Sequence, residues 1–185
     1  MKAALTDHGM TSLYPPRLID SVYLDNDEWS MFHESNEGVM PRKKHRIRSY
    51  PGTESIRFFE TKISSFEGRY KVSNPISGDD LRRIFKNGRY LSGYGRCLPR
   101  IIVRYWRSYH QFENLRITLD SGIQYAKCLR LSKNKFGSHF SEPECVMEIK
   151  FNIDETCEKI FSILNITAGR FSKYERAVKS VAHET

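Results

Sequence analysis

The chain has 185 residues and a mass of 21.7 kDa, with 39% hydrophobic and 28% charged residues and a formal net charge of +8. That length builds one domain with a real core and is short for two, and no stretch nears the roughly 20 apolar residues that span a bilayer as a helix. A pI of 9.3 argues against an acidic, self-solvating chain and implies a polyanionic partner, whether nucleic acid, anionic lipid or a phosphate-rich small molecule.

Met1 to Thr11 contain Asp7 and His8 and lack a long apolar run, unlike a secretory leader, so the cytoplasm is the expected compartment. Strands are expected over Leu18–Leu24, His45–Tyr50, Ile56–Ile63, Ile101–Ser108, Leu115–Asp120, Ile123–Leu131 and Val146–Phe151, each having the length and the β-branched or aromatic content of a strand. Ser77-Gly78-Asp79-Asp80 offers a cap and early acidic residues to a helix carrying Leu81, Ile84 and Phe85 on one face. From Asp154, which is a plausible cap with Glu155 in the first turn, Cys157, Ile160, Phe161 and Leu164 repeat at helical spacing. The expected class is α+β with the sheet dominant, as one domain over residues 1–185.

Cys97, Cys128, Cys145 and Cys157 are widely spaced, with no Cys-x-x-Cys pair and no histidine at zinc-ligand spacing. They read as free structural thiols in a reducing compartment. Asn165-Ile166-Thr167 matches a glycosylation sequon, a triplet common by chance. His45, His110 and His139 have no partners legible in sequence and receive no chemistry.

Side chains alternate across a strand, so residues two apart share a face. Lys44, Arg46 and Arg48 share one face while His45, Ile47 and Ser49 take the other; Glu60 and Lys62 lie with Phe58, opposite Phe59, Thr61 and Ile63. Arg107 lies with Tyr105 and Val103, whereas Arg104 points away with Trp106 and Ile102. Arg116, Thr118 and Asp120 oppose Leu115, Ile117 and Leu119, and Glu148 and Lys150 oppose Met147, Ile149 and Phe151. Alternation usually means one packed and one wet face. Here the polar faces concentrate Arg and Lys around a few carboxylates, and like charges on neighbouring strands repel unless an anion or carboxylate lies between them. A barrel closed with these faces inward makes a cationic cavity, where reduced dielectric strengthens the field on a polyanion. Basic residues alternating on strands do not form a basic helix or RNA motif, which sets specific nucleic-acid binding aside. Tyr105 and Trp106 read as packing aromatics, and Asp120, at the end of its strand, as a turn cap.

Several segments, in order, resemble a known family. Tyr14-Pro15-Pro16-Arg17 followed by Ile19-Asp20-Ser21-Val22-Tyr23-Leu24-Asp25-Asn26 resembles the opening of VTC domains, and Gly38-Val39 and Arg42 leading into Lys44-His45-Arg46-Ile47-Arg48-Ser49-Tyr50 resembles that family's next strand. Phe59-Glu60-Thr61-Lys62 and Gly68-Arg69-Tyr70-Lys71 look like its Glu-x-Lys strand and following basic segment. Arg107, Arg116-Ile117-Thr118-Leu119-Asp120, Val146-Met147-Glu148-Ile149-Lys150 and Phe171-Ser172-Lys173-Tyr174 complete the order, so the resemblance covers Tyr14 to Arg176.

The resemblance implies the triphosphate tunnel fold, an antiparallel β-barrel flanked by helices, and synthesis of inorganic polyphosphate from ATP with a divalent metal, manganese or magnesium. It implies that Arg46, Arg48, Lys62, Arg107, Arg116 and Lys173 contact the transferring phosphates, and that Arg42, Lys44, Lys71 and Lys150 bind substrate in the tunnel or at its rim. Glu148 matches the metal-binding carboxylate, with Glu60 a second candidate. Family members begin with a further Glu- and Lys-bearing strand and a helix. Here Met1 to Leu13 has the length for the end of the helix only, so the barrel is expected to be open by one strand. The alternatives are a noncatalytic polyphosphate- or polyanion-binding domain and a tunnel-fold triphosphate hydrolase.

Overall fold

The computed structural model describes residues 2–52, 56–129, 139–150 and 158–181. A short helix α1 (Lys2–Asp7) leads into β1 (Thr11–Asp25), followed by α2 (Ser30–Glu37) and the meander β2 (Arg42–Ser49), β3 (Arg57–Ser64) and β4 (Arg69–Pro75). Next come α3 (Gly78–Asn87), the three-residue β5 (Arg89–Leu91) and two long strands, β6 (Gly95–Phe112) and β7 (Leu115–Lys127). Then β8 (Phe140–Ser141), β9 (Val146–Lys150), α4 (Glu158–Leu164) and α5 (Lys173–Val181) complete the described chain.

The strands form one nine-stranded sheet in the order β4-β3-β2-β1-β6-β7-β8, with β5 paired to β6 and β9 to β7. All pairings are antiparallel. Among the described residues β4 pairs only with β3, and β8 and β9 only with β7, so the sheet is an open antiparallel barrel with flanking helices.

Both faces are covered, for different reasons. On the face opposite Arg46 and Arg48, Ile47 and Phe59 join Ile84 of α3, Leu91 and Cys97. Ser77 caps α3 by accepting the backbone N–H of Asp80 at 3.0 Å, the arrangement its sequence predicts. Gly88 ends that helix at φ 77°, where an added Cβ would sit 2.7 Å from the Cys97 carbonyl oxygen; only glycine fits there. A second cluster, Leu5, Met10, Phe112, Leu115, Ile117 and Ile160, packs α1 and α4 against the same side of β7 and β9. On the Arg46 face lies α5. Its Tyr174, Ala177, Val178 and Val181, at positions i, i+3, i+4 and i+7, are buried with Tyr23, Tyr105, Val103 and Tyr125.

Several boundaries differ from the sequence expectation. Leu115–Asp120 and Ile123–Leu131 are not two strands: β7 runs unbroken through Ser121-Gly122 to Lys127, absorbing Gly122 at φ 57° opposite a register shift between Arg104 and Trp106. A bulge re-aims a strand without ending it. Arg69–Pro75 forms a strand although all of it is exposed, because it is an edge. Lys173 opens a helix beyond Leu164, the last residue for which the sequence predicts one. Asp154, Glu155 and Cys157 of the anticipated helix start lie outside the described residues, as do Leu131 and Phe151. Cys97, Cys128 and Cys145 are free thiols, and burial raises those of Cys97 and Cys128 to about 11. No helix among the described residues is long and apolar enough to cross a membrane.

Candidate functional site

The charged face is built in rungs, because antiparallel neighbours align residue against residue across the sheet. Lys44, Lys62 and Lys71 stand abreast on β2, β3 and β4, with Arg42, Ser64 and Arg69 on the rung beyond. In the other direction come Tyr23, Arg46, Glu60 and Ser73, and then Arg48 abreast of Ser21, Val103 and Tyr125. Toward the far end, Arg17, Arg107, Asp120 and Val146 share a rung; Tyr109, Thr118 and Glu148 form the next, and Gln111, Arg116 and Lys150 the last.

Carboxylates tie these rungs together. Glu60 is 3% exposed and holds Arg46 through Nε at 2.7 Å and Nη2 at 2.6 Å, with Lys71 at 3.4 Å and Arg48 at 3.7 Å. Asp120 is 1% exposed, accepts Nε and Nη2 of Arg107 at 2.6 and 2.8 Å, and meets Lys173 Nζ at 2.7 Å. Glu148 is half-exposed, 3.5 Å from Arg107 and 3.8 Å from Lys150. Lys44 reaches Glu175 of α5 at 3.2 Å and Ser172 Oγ at 3.0 Å. Tyrosine hydroxyls complete the set: Arg46 donates to Tyr23 and Arg48 to Tyr105, both at 3.1 Å.

The electrostatics follow from these contacts. Burial alone would raise the carboxyls of Glu60 and Asp120, but Arg46 and Arg48 around the first, and Arg107 and Lys173 around the second, hold both below their ordinary range. Burial lowers the Lys44 ammonium against the opposing pull of Glu175, and Lys62 lowers it further. Lys62 reaches solvent, yet the protein crowding it lowers its ammonium, with Tyr23 and Glu148 opposing. Helix α5 joins the two parts of this face, Glu175 meeting Lys44 on β2 and Lys173 meeting Asp120 on β7. The cations outnumber the carboxylates, and screening is weak inside such a trough. Ser21 Oγ, Arg48 Nε and Thr118 Oγ1 are buried without a hydrogen-bond partner among the described residues. Unpaired buried polar atoms cost about 1–3 kcal/mol each, a cost eased at Arg48 Nε by its 3.7 Å ion pair with Glu60.

Of the residues singled out from sequence, Lys44, Arg46, Arg48, Glu60, Lys62, Lys71, Arg107, Glu148, Lys150 and Lys173 come together on this face. Arg42 sits at its rim, donating to the Val39 carbonyl. Arg116 stands apart from the ion-pair network, exposed, with its guanidinium 5.9 Å from the centre of the Tyr109 ring. Sequence reasoning missed Asp120, which lies inside the strand and the network and caps no turn. It also missed Glu175, Ser21, Thr118 and the hydroxyl role of Tyr105; Trp106 is half-exposed on the opposite face. Alternation with Arg116 was the available signal for Thr118 and Asp120.

For a metal, no group of three or more His, Cys, Asp and Glu gathers among the described residues. Glu148 nevertheless offers an accessible hard oxygen beside the cationic rungs, which fits a Mg²⁺-like ion that takes most of its ligands from phosphates and water. Glu60 fits less well, its oxygens being engaged by Arg46, Arg48 and Lys71.

Comparison with known proteins agrees with this architecture. The VTC domain model matches residues 1–94 and 79–182. The chain belongs to the VTC domain family. Its fold is shared with a putative adenylate cyclase from Bacillus halodurans, at TM-score 0.61 and 14% identity over 90% of this chain and 94% of that one. A putative adenylate cyclase from Vibrio parahaemolyticus is more distant, at TM-score 0.43 and 15% identity over 87% and 76%. No curated protein matches the sequence. This VTC domain thus has the triphosphate tunnel fold, with its sheet open among the described residues.

Proposed function

We propose that this VTC domain binds ATP and inorganic polyphosphate along the charged face and transfers the ATP γ-phosphoryl group to the end of the phosphate chain. The observation that carries this reading is the succession of Arg and Lys rungs, held by buried carboxylates and bordered by Glu148 beside Arg107.

Phosphoryl transfer needs charge neutralisation and in-line alignment more than covalent chemistry by the protein. Arg46 and Arg48 bring guanidinium charge to nonbridging oxygens, with Glu60 holding Arg46 through Nε and Nη2 before substrate arrives. Arg107 and Lys173, preset by Asp120, converge from the sheet and from α5. The lysine rung of Lys44, Lys62 and Lys71 receives the chain as adaptable point charges. A divalent cation held with Glu148, manganese or magnesium, would supply further neutralisation of the reacting phosphates. No protein nucleophile is required.

The test is polyphosphate chain length after incubation with ATP and manganese. Elongation that disappears in Glu148→Gln, while metal-free polyphosphate binding persists, supports the reading; release of orthophosphate without elongation assigns a hydrolase. A second reading, noncatalytic polyanion binding, is favoured by the isolation of Glu148 as the accessible carboxylate among the described rungs. Tight binding with no turnover would select it.

A further inference from the structure

At the Arg107 and Glu148 end of the charged face lies an aromatic cluster to which the proposed function assigns no part. Tyr14 and Tyr109 meet edge to face, with ring centres 5.9 Å apart and planes at 79°. The guanidinium carbons of Arg17 and Arg116 each lie 5.9 Å from the centre of the Tyr109 ring. Tyr14, Arg17 and Arg116 are exposed and Tyr109 is partly so. This cluster adjoins the charged rungs: Arg17 is abreast of Arg107, Tyr109 of Thr118, and Thr118 of Glu148. Between the aromatics and the acid, then, sits Thr118, 3% exposed, with its hydroxyl unpaired.

We propose that the Tyr14, Arg17, Tyr109 and Arg116 cluster is a nucleoside platform that takes the base of the donor nucleotide, with Thr118 hydrogen-bonding its ribose or α-phosphate. The proposal rests on the reading of the charged face as a triphosphate site and adds to it the end at which the nucleoside lies. Planar bases stack on tyrosine rings and on guanidinium planes irrespective of base identity. The opposite end carries the lysine rung and Arg42 and Arg69, suited to a bare phosphate chain. ATP would therefore lie with its base at the Tyr109 end and its phosphates running toward Arg46.

Equilibrium binding of ATP and of tripolyphosphate, both in the presence of chelator, tests this. Tyr109→Ala is expected to weaken ATP about tenfold while tripolyphosphate stays within about twofold; Tyr14→Ala, at an exposed position that leaves folding intact, should repeat the pattern more weakly, and Thr118→Val should likewise weaken ATP alone. Equal losses for both ligands, or no loss for ATP, overturn the platform. Wild-type protein that binds tripolyphosphate but prefers ATP no more than that overturns the platform and leaves the tunnel reading standing. Failure to bind either ligand overturns both.

Discussion

Asp120 in the middle of β7 and Lys173 at the first residue of α5 lie 2.7 Å apart, and the same carboxylate grips Arg107 with both oxygens. One buried acid therefore sets the docking of a helix and the direction of two cations at once. Removing a single partner of such a cluster leaves uncompensated buried charge. Asp120→Asn should lower unfolding stability by about 3 kcal/mol without ligand, and tripolyphosphate should restore more stability to the variant than it adds to wild type. Thermal melts with and without tripolyphosphate measure both effects; an equal gain in the two proteins would show that Asp120 does not compete with the anion.

Arg46 and the helix residue Arg82 carry the same charge in different settings. Arg82 is exposed and pairs with Asp79, whereas Arg46 is fixed by Glu60 and Tyr23 on the charged face. Arg46→Glu is expected to weaken polyphosphate binding at least about tenfold, and Arg82→Glu by less than about twofold. Titrations at low and raised salt check this, since both binding constants should fall with salt but their ratio should persist.

Acid sensitivity should come in two stages. His45 is buried, with Nδ1 on the Thr61 hydroxyl at 2.9 Å, and burial, with Lys43 and Arg89 nearby, lowers its imidazole to about 4. Between that value and about 6.5 the unfolded state binds the extra proton, so stability is full above pH 6.5 and falls toward pH 4, by at most about 3 kcal/mol. Glu60, Asp120 and Glu175 have carboxyls below their ordinary range. Their contribution is present above about pH 4 and is lost as pH falls through their folded values. Denaturant melts across pH should show the upper stage shrink in His45→Phe and the lower stage remain.

Tyr174 donates its hydroxyl to Asp25, which also accepts the backbone N–H groups of Met31 and Phe32 at 3.1 Å. Tyr174→Phe withdraws one donor from a buried carboxylate. It should cost about 1–3 kcal/mol in a urea unfolding curve and leave tripolyphosphate affinity unchanged, separating the α5 anchor from the α5 cation.

The charged face was legible because period-two alternation survives any sheet curvature, so the grouping of Lys44, Arg46 and Arg48, or of Glu148 and Lys150, needed no tertiary knowledge. The partners of those cations were less legible, since Glu175 meets Lys44 only after α5 has folded back over the sheet. Asp120 was misplaced because Ser121-Gly122 looked like a strand end, and a glycine at positive φ beside a bulge is locally indistinguishable from a turn. The edge strand β4 escaped notice for want of a buried apolar face. The apolar spacing in α5 was readable as a helix, but its few residues follow a segment that offers no helix signal of its own.

The lysine rung also has a mechanical meaning. Lys44, Lys62 and Lys71 stand abreast on three adjoining strands, and backbone ladders must resist whatever repulsion Glu175, beside Lys44, and Glu60, beside Lys71, leave uncompensated. A bound phosphate would act as a rivet through all three. Without one, β4 should be the first strand to fray, and its amide hydrogens should exchange with solvent well ahead of those of β1 and β6.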